Sequence, residues 1–125
     1  MSLTQPRIAV LIPSRNAERT IGHTIESLNA NKEPHDIVIV DDGGATPLRQ
    51  LIPAQANMTI LRLEVNVGIT KALNHGIRFI LEKGYDYVAR MDADDAATPD
   101  RLGLQINYMD QNPDVALVGG CGQVV

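Results

Sequence analysis

Three acids in four residues, Asp92-Ala93-Asp94-Asp95, follow directly on the apolar stretch Tyr87-Val88-Ala89-Arg90-Met91. Carboxylates crowded this closely repel one another, and a cation would offset the repulsion. All-oxygen ligands suit a hard divalent ion, Mg²⁺ or Mn²⁺, which can also hold phosphates. The position fits, because open α/β sheets bind ligands beyond the carboxyl ends of their strands. Taken alone, the tetrad reads equally well as a solvated acidic loop capping the next helix.

Three more polar clusters follow apolar runs. Pro13-Ser14-Arg15-Asn16 comes after Ile8-Ala9-Val10-Leu11-Ile12, Asp41-Asp42-Gly43-Gly44 after Ile37-Val38-Ile39-Val40, and Asn66-Val67-Gly68 after Met58 to Leu63. Asp41 and Asp42 can accept hydrogen bonds from a base edge or from ribose hydroxyls. Gly43 and Gly44 let the backbone turn and approach a ligand; a plain Asp-Gly turn is the alternative. Asn66 and Gly68 precede a helix whose N-terminal amides could face a phosphate, or they form an ordinary loop and cap. Lys71 falls in the first turn of that helix, where the dipole disfavours a cation. A diphosphate nearby accounts for it, and so does solvent exposure.

Other signatures are missing. There is no Gly-x-Ser-x-Gly and no base for Ser14. The phosphate loop Gly-x-x-x-x-Gly-Lys-Ser/Thr and the dinucleotide fingerprint Gly-x-Gly-x-x-Gly are absent. His23, His35 and His75 have no metal-ligand spacing to one another or to Cys121. Arg101, next to Asp100, reads as half of a surface ion pair.

The elements between the clusters alternate. The continuous apolar runs at 8–12 and 37–40 suit parallel strands covered on both faces, with further strands at 58–63 and 87–91. Ile21, Ile25 and Leu28 form one helical stripe, and Leu73, Ile77, Ile80 and Leu81 another, which Gly84 ends. Thr98-Pro99 opens a third helix, with Thr98 as N-cap, Pro99 in the first turn, and Leu102, Ile106 and Met109 facing the core. Asn112-Pro113 stops it, and Val115 to Val118 reads as one more strand. Strand-helix alternation predicts a mainly parallel sheet with right-handed crossovers. Parallel strands put all four polar clusters on one edge, so segments scattered in sequence should converge.

The bulk composition sets bounds. The 125 residues are read as a single domain, with 44% hydrophobic residues to fill one sheet and its helices. A net charge of -4 argues against nucleic acid as a partner. It does not argue against a nucleotide whose charge a metal covers. One cysteine forms no intrachain disulfide, which suits the cytoplasm. No stretch reaches the ~20 apolar residues of a membrane span. Association with the inner face of a membrane stays open through the rest of the protein.

Together the four clusters, with Lys71-Ala72-Leu73-Asn74-His75-Gly76-Ile77 and Pro99-Asp100-Arg101-Leu102, resemble the family 2 glycosyltransferases of the GT-A fold. The resemblance covers nearly the whole chain, with its blocks in the family's order. It implies a three-layer α/β/α architecture around a mainly parallel sheet, truncated here. It implies a nucleotide-diphosphate-sugar donor, a UDP-sugar first, and transfer with inversion to a saccharide, lipid-linked or protein acceptor. Pro13 and Asn16 match the first nucleotide-contacting block, Asp42 would recognise the base, and Asp41 would support that loop. Arg15 stands where the family often has Tyr; it could stack its guanidinium on the base or form a salt bridge. Asn66, Gly68 and Lys71 fall on the nucleotide side. Asp92-Ala93-Asp94 matches the Asp-x-Asp signature, with Asp94 contacting Mg²⁺ or Mn²⁺ and Asp92 reaching the ribose, the metal or a metal-bound water. Asp95 would lie toward the donor sugar. The general base and the acceptor-binding part are expected beyond Val125, so these residues should bind donor weakly and transfer nothing. An uncovered sheet edge would favour self-association. Two other classes gather acids at strand ends: nucleotidyltransferases, which want a Gly-rich basic loop after the first strand, and receiver-like signalling domains, which want a lysine after a later strand.

Overall fold

A computed structural model of the chain describes residues 6–119. Four strands form one fully parallel sheet in the order β3-β2-β1-β4: β1 is Ile8–Ser14, β2 Asp36–Asp42, β3 Met58–Leu63 and β4 Tyr87–Arg90. Two helices connect strands, α1 Ile21–Asn29 between β1 and β2 and α2 Ile69–Glu82 between β3 and β4, and α3 Arg101–Gln111 follows β4. A short 3₁₀ turn, Leu48–Gln50, lies between β2 and β3.

The sheet is covered on both sides, which is why its central strands are apolar throughout rather than alternating. Ile8, Val10 and Ile12 of β1, with Ile37 and Ile39 of β2, pack against Ile21, Ile25 and Leu28 of α1 and Leu102 and Ile106 of α3. Ala9, Leu11, Val38 and Val40 face the other way, against Ala72 and Ile80 of α2. The layers are α1 and α3, sheet, then α2. Gly76 permits α2 to lie close. A Cβ added there would stand 2.4 Å from Leu11 Cδ1 and 2.9 Å from Val40 Cγ2. β3 and β4 are the two edge strands, so one side of β4 is unpaired among the described residues.

The element order follows the expectation, with three differences. β1 and β2 run on to include Ser14, Asp41 and Asp42, so these polar residues begin inside the sheet. α3 starts at Arg101, and Asp100, its N-cap residue, makes no side-chain cap bond. The cap comes from outside the helix: Asn31 Oδ1 accepts from Leu102 N at 3.1 Å. Residues 115–118 form no strand; they have no ladder partner among the described residues, and Leu117 is 88% exposed. Cys121 lies outside the described residues. No helix among the described residues is long and apolar enough to cross a membrane.

Candidate functional site

The four strand ends lie along one rim in the order of the sheet: 66–68 after β3, 41–44 after β2, 13–16 after β1, and 92–95 after β4. Hydrogen bonds tie neighbouring segments together. Ala45 N donates to Asn16 Oδ1 at 3.1 Å, joining the loops after β1 and β2. Asn16 sits at φ +51, in the left-handed region that asparagine tolerates better than most residues.

Asp42 joins the loops after β2 and β3. Its side chain points to the α2 face and is buried. It accepts from Val67 N at 2.8 Å, Asn66 Nδ2 at 2.9 Å and Gly68 N at 3.1 Å. Negative charge here also complements the positive end of the α2 dipole. The amides of Val67 and Gly68, which lead into α2, are therefore directed at Asp42; the N-terminal amides of the helix itself, from Ile69 to Lys71, follow them. A carboxylate offers about four acceptor positions, so roughly one remains. Gly43 makes this approach possible. It sits at φ +68, and a Cβ would stand 2.5 Å from Asn66 N.

Asp41 points to the opposite face. Its carboxylate accepts from Leu48 N at 3.0 Å, Gly44 N at 3.3 Å and Arg62 Nη1 at 2.8 Å. Arg62 Nη2 also donates to Gly44 O at 3.0 Å. Asp41 thus holds backbone amides of the loop after β2, with Arg62 of β3 as a partner that the motifs did not indicate. Ser14, beside Asp41 in the ladder, is buried and its Oγ has no hydrogen-bond partner among the described residues. Arg15 and Asn16 are exposed at the rim, Pro13 is half-buried, and Lys71 projects into solvent in the first turn of α2.

The acidic loop leaves β4 beside the middle of β1, where Met91 N donates to Leu11 O. Carboxylate oxygens of Asp92, Asp94 and Asp95 lie within 4.8 Å of one another. Octahedral Mg²⁺, with bonds of about 2.1 Å, spans at most about 4.2 Å between opposite ligands. The donor atoms therefore fit a hard cation in kind. Two arginines already balance part of this charge. Arg90 Nη2 lies 3.4 Å from Asp92 Oδ1, with both side chains half-exposed. Arg101 does not pair with Asp100. Its Nη2 donates to Arg90 O at 2.9 Å and its Nε to Gln105 Oε1 at 3.1 Å. Burial pushes the Arg101 pKa down, and the charge of Asp95 opposes that shift.

Thr24 and Ser27 of α1, with Asn31 two residues past its end, hold the acidic loop, and the motifs gave no notice of them. Thr24 Oγ1 lies 2.9 Å from Ala93 O and 2.6 Å from Asp95 O. Ser27 Oγ accepts from Ala97 N at 2.9 Å, and Asn31 Nδ2 donates to Thr98 O at 3.1 Å. Thr24 and Ser27 stand at i and i+3 on one face of the helix, and Asn31, just past the helix end, joins them through its Nδ2, which donates to Ser27 O. None of the histidines joins the rim; His35 precedes β2 at the opposite edge of the sheet.

The four polar segments are thus gathered at the carboxyl edge of a parallel sheet, where open α/β folds bind their ligands. The family model described as Glycosyl transferase family 2 matches residues 9–124, and the chain belongs to that family. It is 36% identical over 118 residues to the amylovoran biosynthesis glycosyltransferase AmsE of Erwinia amylovora, covering 89% of this chain and 43% of that protein. An uncharacterized glycosyltransferase of Haemophilus influenzae is 36% identical over 100 residues, which are 76% of this chain and 36% of that one. The chain thus spans less than half the length of these relatives. Among solved structures, TarS residues 1–349 of S. aureus in complex with UDP-GlcNAc superposes with a TM-score of 0.75 at 23% identity, over 86% of this chain and 32% of that one. The mannosyltransferase PcManGT of Pyrobaculum calidifontis in complex with GDP-Man and Mn²⁺ gives 0.73 at 20% identity, over 86% and 33%. The fold is that of the GT-A glycosyltransferases. Family membership sets aside the nucleotidyltransferase and receiver-like alternatives.

Proposed function

We propose that this chain is the donor-binding part of an inverting, divalent-cation-dependent glycosyltransferase that takes a sugar from a nucleoside diphosphate. The observation that carries this reading is the convergence of four strand-end segments on one rim, with the acidic triad at its β4 end. The TarS complex with UDP-GlcNAc and the PcManGT complex with GDP-Man and Mn²⁺ support a nucleotide sugar with either base; a UDP-sugar is the first donor to test.

On this reading Asp94 contacts Mg²⁺ or Mn²⁺, Asp92 reaches the metal, one of its waters or the ribose, and Asp95 lies toward the donor sugar. Pro13, Arg15 and Asn16 receive the nucleoside together with Asp42, whose remaining acceptor position meets the base edge. Asn66, Gly68 and Lys71 lie on the nucleotide side, where the Lys71 ammonium suits diphosphate charge. Departure of a nucleoside diphosphate leaves negative charge on its β-phosphate, and a bound cation supplies Lewis-acid stabilisation of that charge. The acceptor, whether saccharide, lipid carrier or protein, must lose a proton to a general base. That base is assigned to none of these 125 residues.

Calorimetry with UDP in the presence and absence of Mn²⁺ tests the reading. The wild-type chain should bind UDP more tightly with Mn²⁺, and Asp94→Ala should abolish the difference. An unchanged Mn²⁺ effect in Asp94→Ala removes the metal assignment.

A further inference from the structure

We infer that a polar row, Thr24 and Ser27 of α1 with Asn31 just past its end, sets the geometry of the acidic triad, with Thr24 as the main positioning residue; the inference rests on the metal-binding reading above. The loop 91–100 contains no helix or strand, so it lacks the ladder that would fix its backbone. Its polar groups must find partners elsewhere if they leave water. They find them on α1 and on Asn31 just past its end, in sequence order. Thr24, 1% exposed, meets the carbonyls of Ala93 and Asp95. Its one hydroxyl proton is shared between two acceptors on either side of Asp94. Ser27 then accepts from Ala97 N and donates to Thr24 O. Asn31, 8% exposed, donates to Thr98 O and accepts from Leu102 N, which fixes where α3 begins.

A buried polar residue inside a helix usually hydrogen-bonds within its own helix or turns to solvent. Thr24 does neither; it spends its hydroxyl on the backbone that carries the candidate ligands. Cation affinity depends on ligand placement to a fraction of an ångström. Groups that orient metal ligands are worth about 10- to 100-fold in affinity. Thr24 acts through the backbone rather than on a carboxylate, so its effect belongs at about tenfold, the low end of that range. Residues 17–20 lead from the loop 13–16 into α1, so one helix lies between the nucleoside side of the rim and the cation side.

The test uses Mn²⁺ alone, titrated into the chain and followed by electron paramagnetic resonance, beside thermal unfolding of each variant. Thr24→Val should weaken Mn²⁺ binding about tenfold, and Thr24→Ser, which keeps the hydroxyl, should restore it. Asn31→Ala should weaken Mn²⁺ binding less than Thr24→Val but lower the unfolding temperature more, because Asn31 makes three hydrogen bonds and caps α3. These opposite rankings separate positioning from general stability. Thr24→Val with wild-type Mn²⁺ affinity overturns the inference, as does a loss of affinity that follows the order of unfolding temperatures. Absence of Mn²⁺ binding in the wild type overturns the metal reading itself, and this inference with it.

Discussion

Replacing Asp42 gives a sharp test of how the rim is held. Asp42→Ala removes the acceptor for Asn66 Nδ2, Val67 N and Gly68 N at once. Hydrogen bonds to a charged group contribute about 1.5–3 kcal/mol each where both partners are buried. Asn66 and Val67 are exposed, so water can replace the lost acceptor in part, and about 1 kcal/mol per bond is the better figure. The sum is about 3 kcal/mol. At about 4 °C per kcal/mol for a chain of this size, the unfolding temperature should fall by about 12 °C. Asp42→Asn is not a neutral control. Both carboxylate oxygens accept, so whichever way the amide turns, its NH₂ faces a donor; about half the effect should remain. Thermal unfolding by circular dichroism measures the loss. Amide hydrogen exchange locates it, because Val67 and Gly68 should lose protection while the centre of β1 keeps it. A change under about 2 °C with unaltered exchange at Val67 and Gly68 would refute the role of Asp42 as the tie between β2 and α2.

Four further outcomes follow from the packing and the charges. Gly76→Ala drives a methyl group into Leu11 and Val40 and should cost about 1–3 kcal/mol in denaturant unfolding; an unchanged midpoint would mean that α2 is free to lift from the sheet. Gly43→Ala combines a positive φ with a contact on the Asn66 backbone, so it should lower the unfolding temperature more than alanine at exposed Gly22, where nothing lies within 4 Å. Arg90→Ala removes the cation nearest Asp92 and should tighten Mn²⁺ binding by no more than about fivefold, the scale of an exposed pair; weaker binding in the titration would contradict the competition. Tyr85 donates its hydroxyl to Asp36 Oδ2 at 2.6 Å, and burial, followed by that bond, raises its pKa above 10.0. The stabilisation is fully present below pH 10 and is lost as pH rises through the higher folded-state value. Tyr85→Phe should therefore flatten the fall in stability above pH 10, and an unaltered alkaline profile would remove Tyr85 as its source.

The sheet was legible because its strands are apolar runs with polar ends, and that pattern has one physical reading when both faces are covered. The rim followed from it, since parallel strands share an edge. What escaped the sequence depends on partners distant along the chain. The start of α3 at Arg101 is set by Asn31, 71 residues from Leu102, whereas Thr98-Pro99 offered a persuasive local cap. Arg62 lies on an edge strand, and only the β2–β3 register brings it to Asp41. Thr24, Ser27 and Asn31 did carry a signal, three small polar residues at helical spacing next to an apolar stripe. That signal reads as the solvent face of an amphipathic helix until the acidic loop is laid across it. At 115–118 the apolar run suggested a strand, but a run of β-formers needs a neighbour to pair with.

The central claim is that the four strand ends form one donor site. Amide chemical-shift mapping with UDP and Mg²⁺ tests it most directly. The account predicts shifts in 13–16, 41–44, 66–68 and 92–95, with those at 92–95 lost when Mg²⁺ is withheld. Shifts confined to one segment, or found instead around His35 and Lys83 at the opposite edge of the sheet, would contradict it.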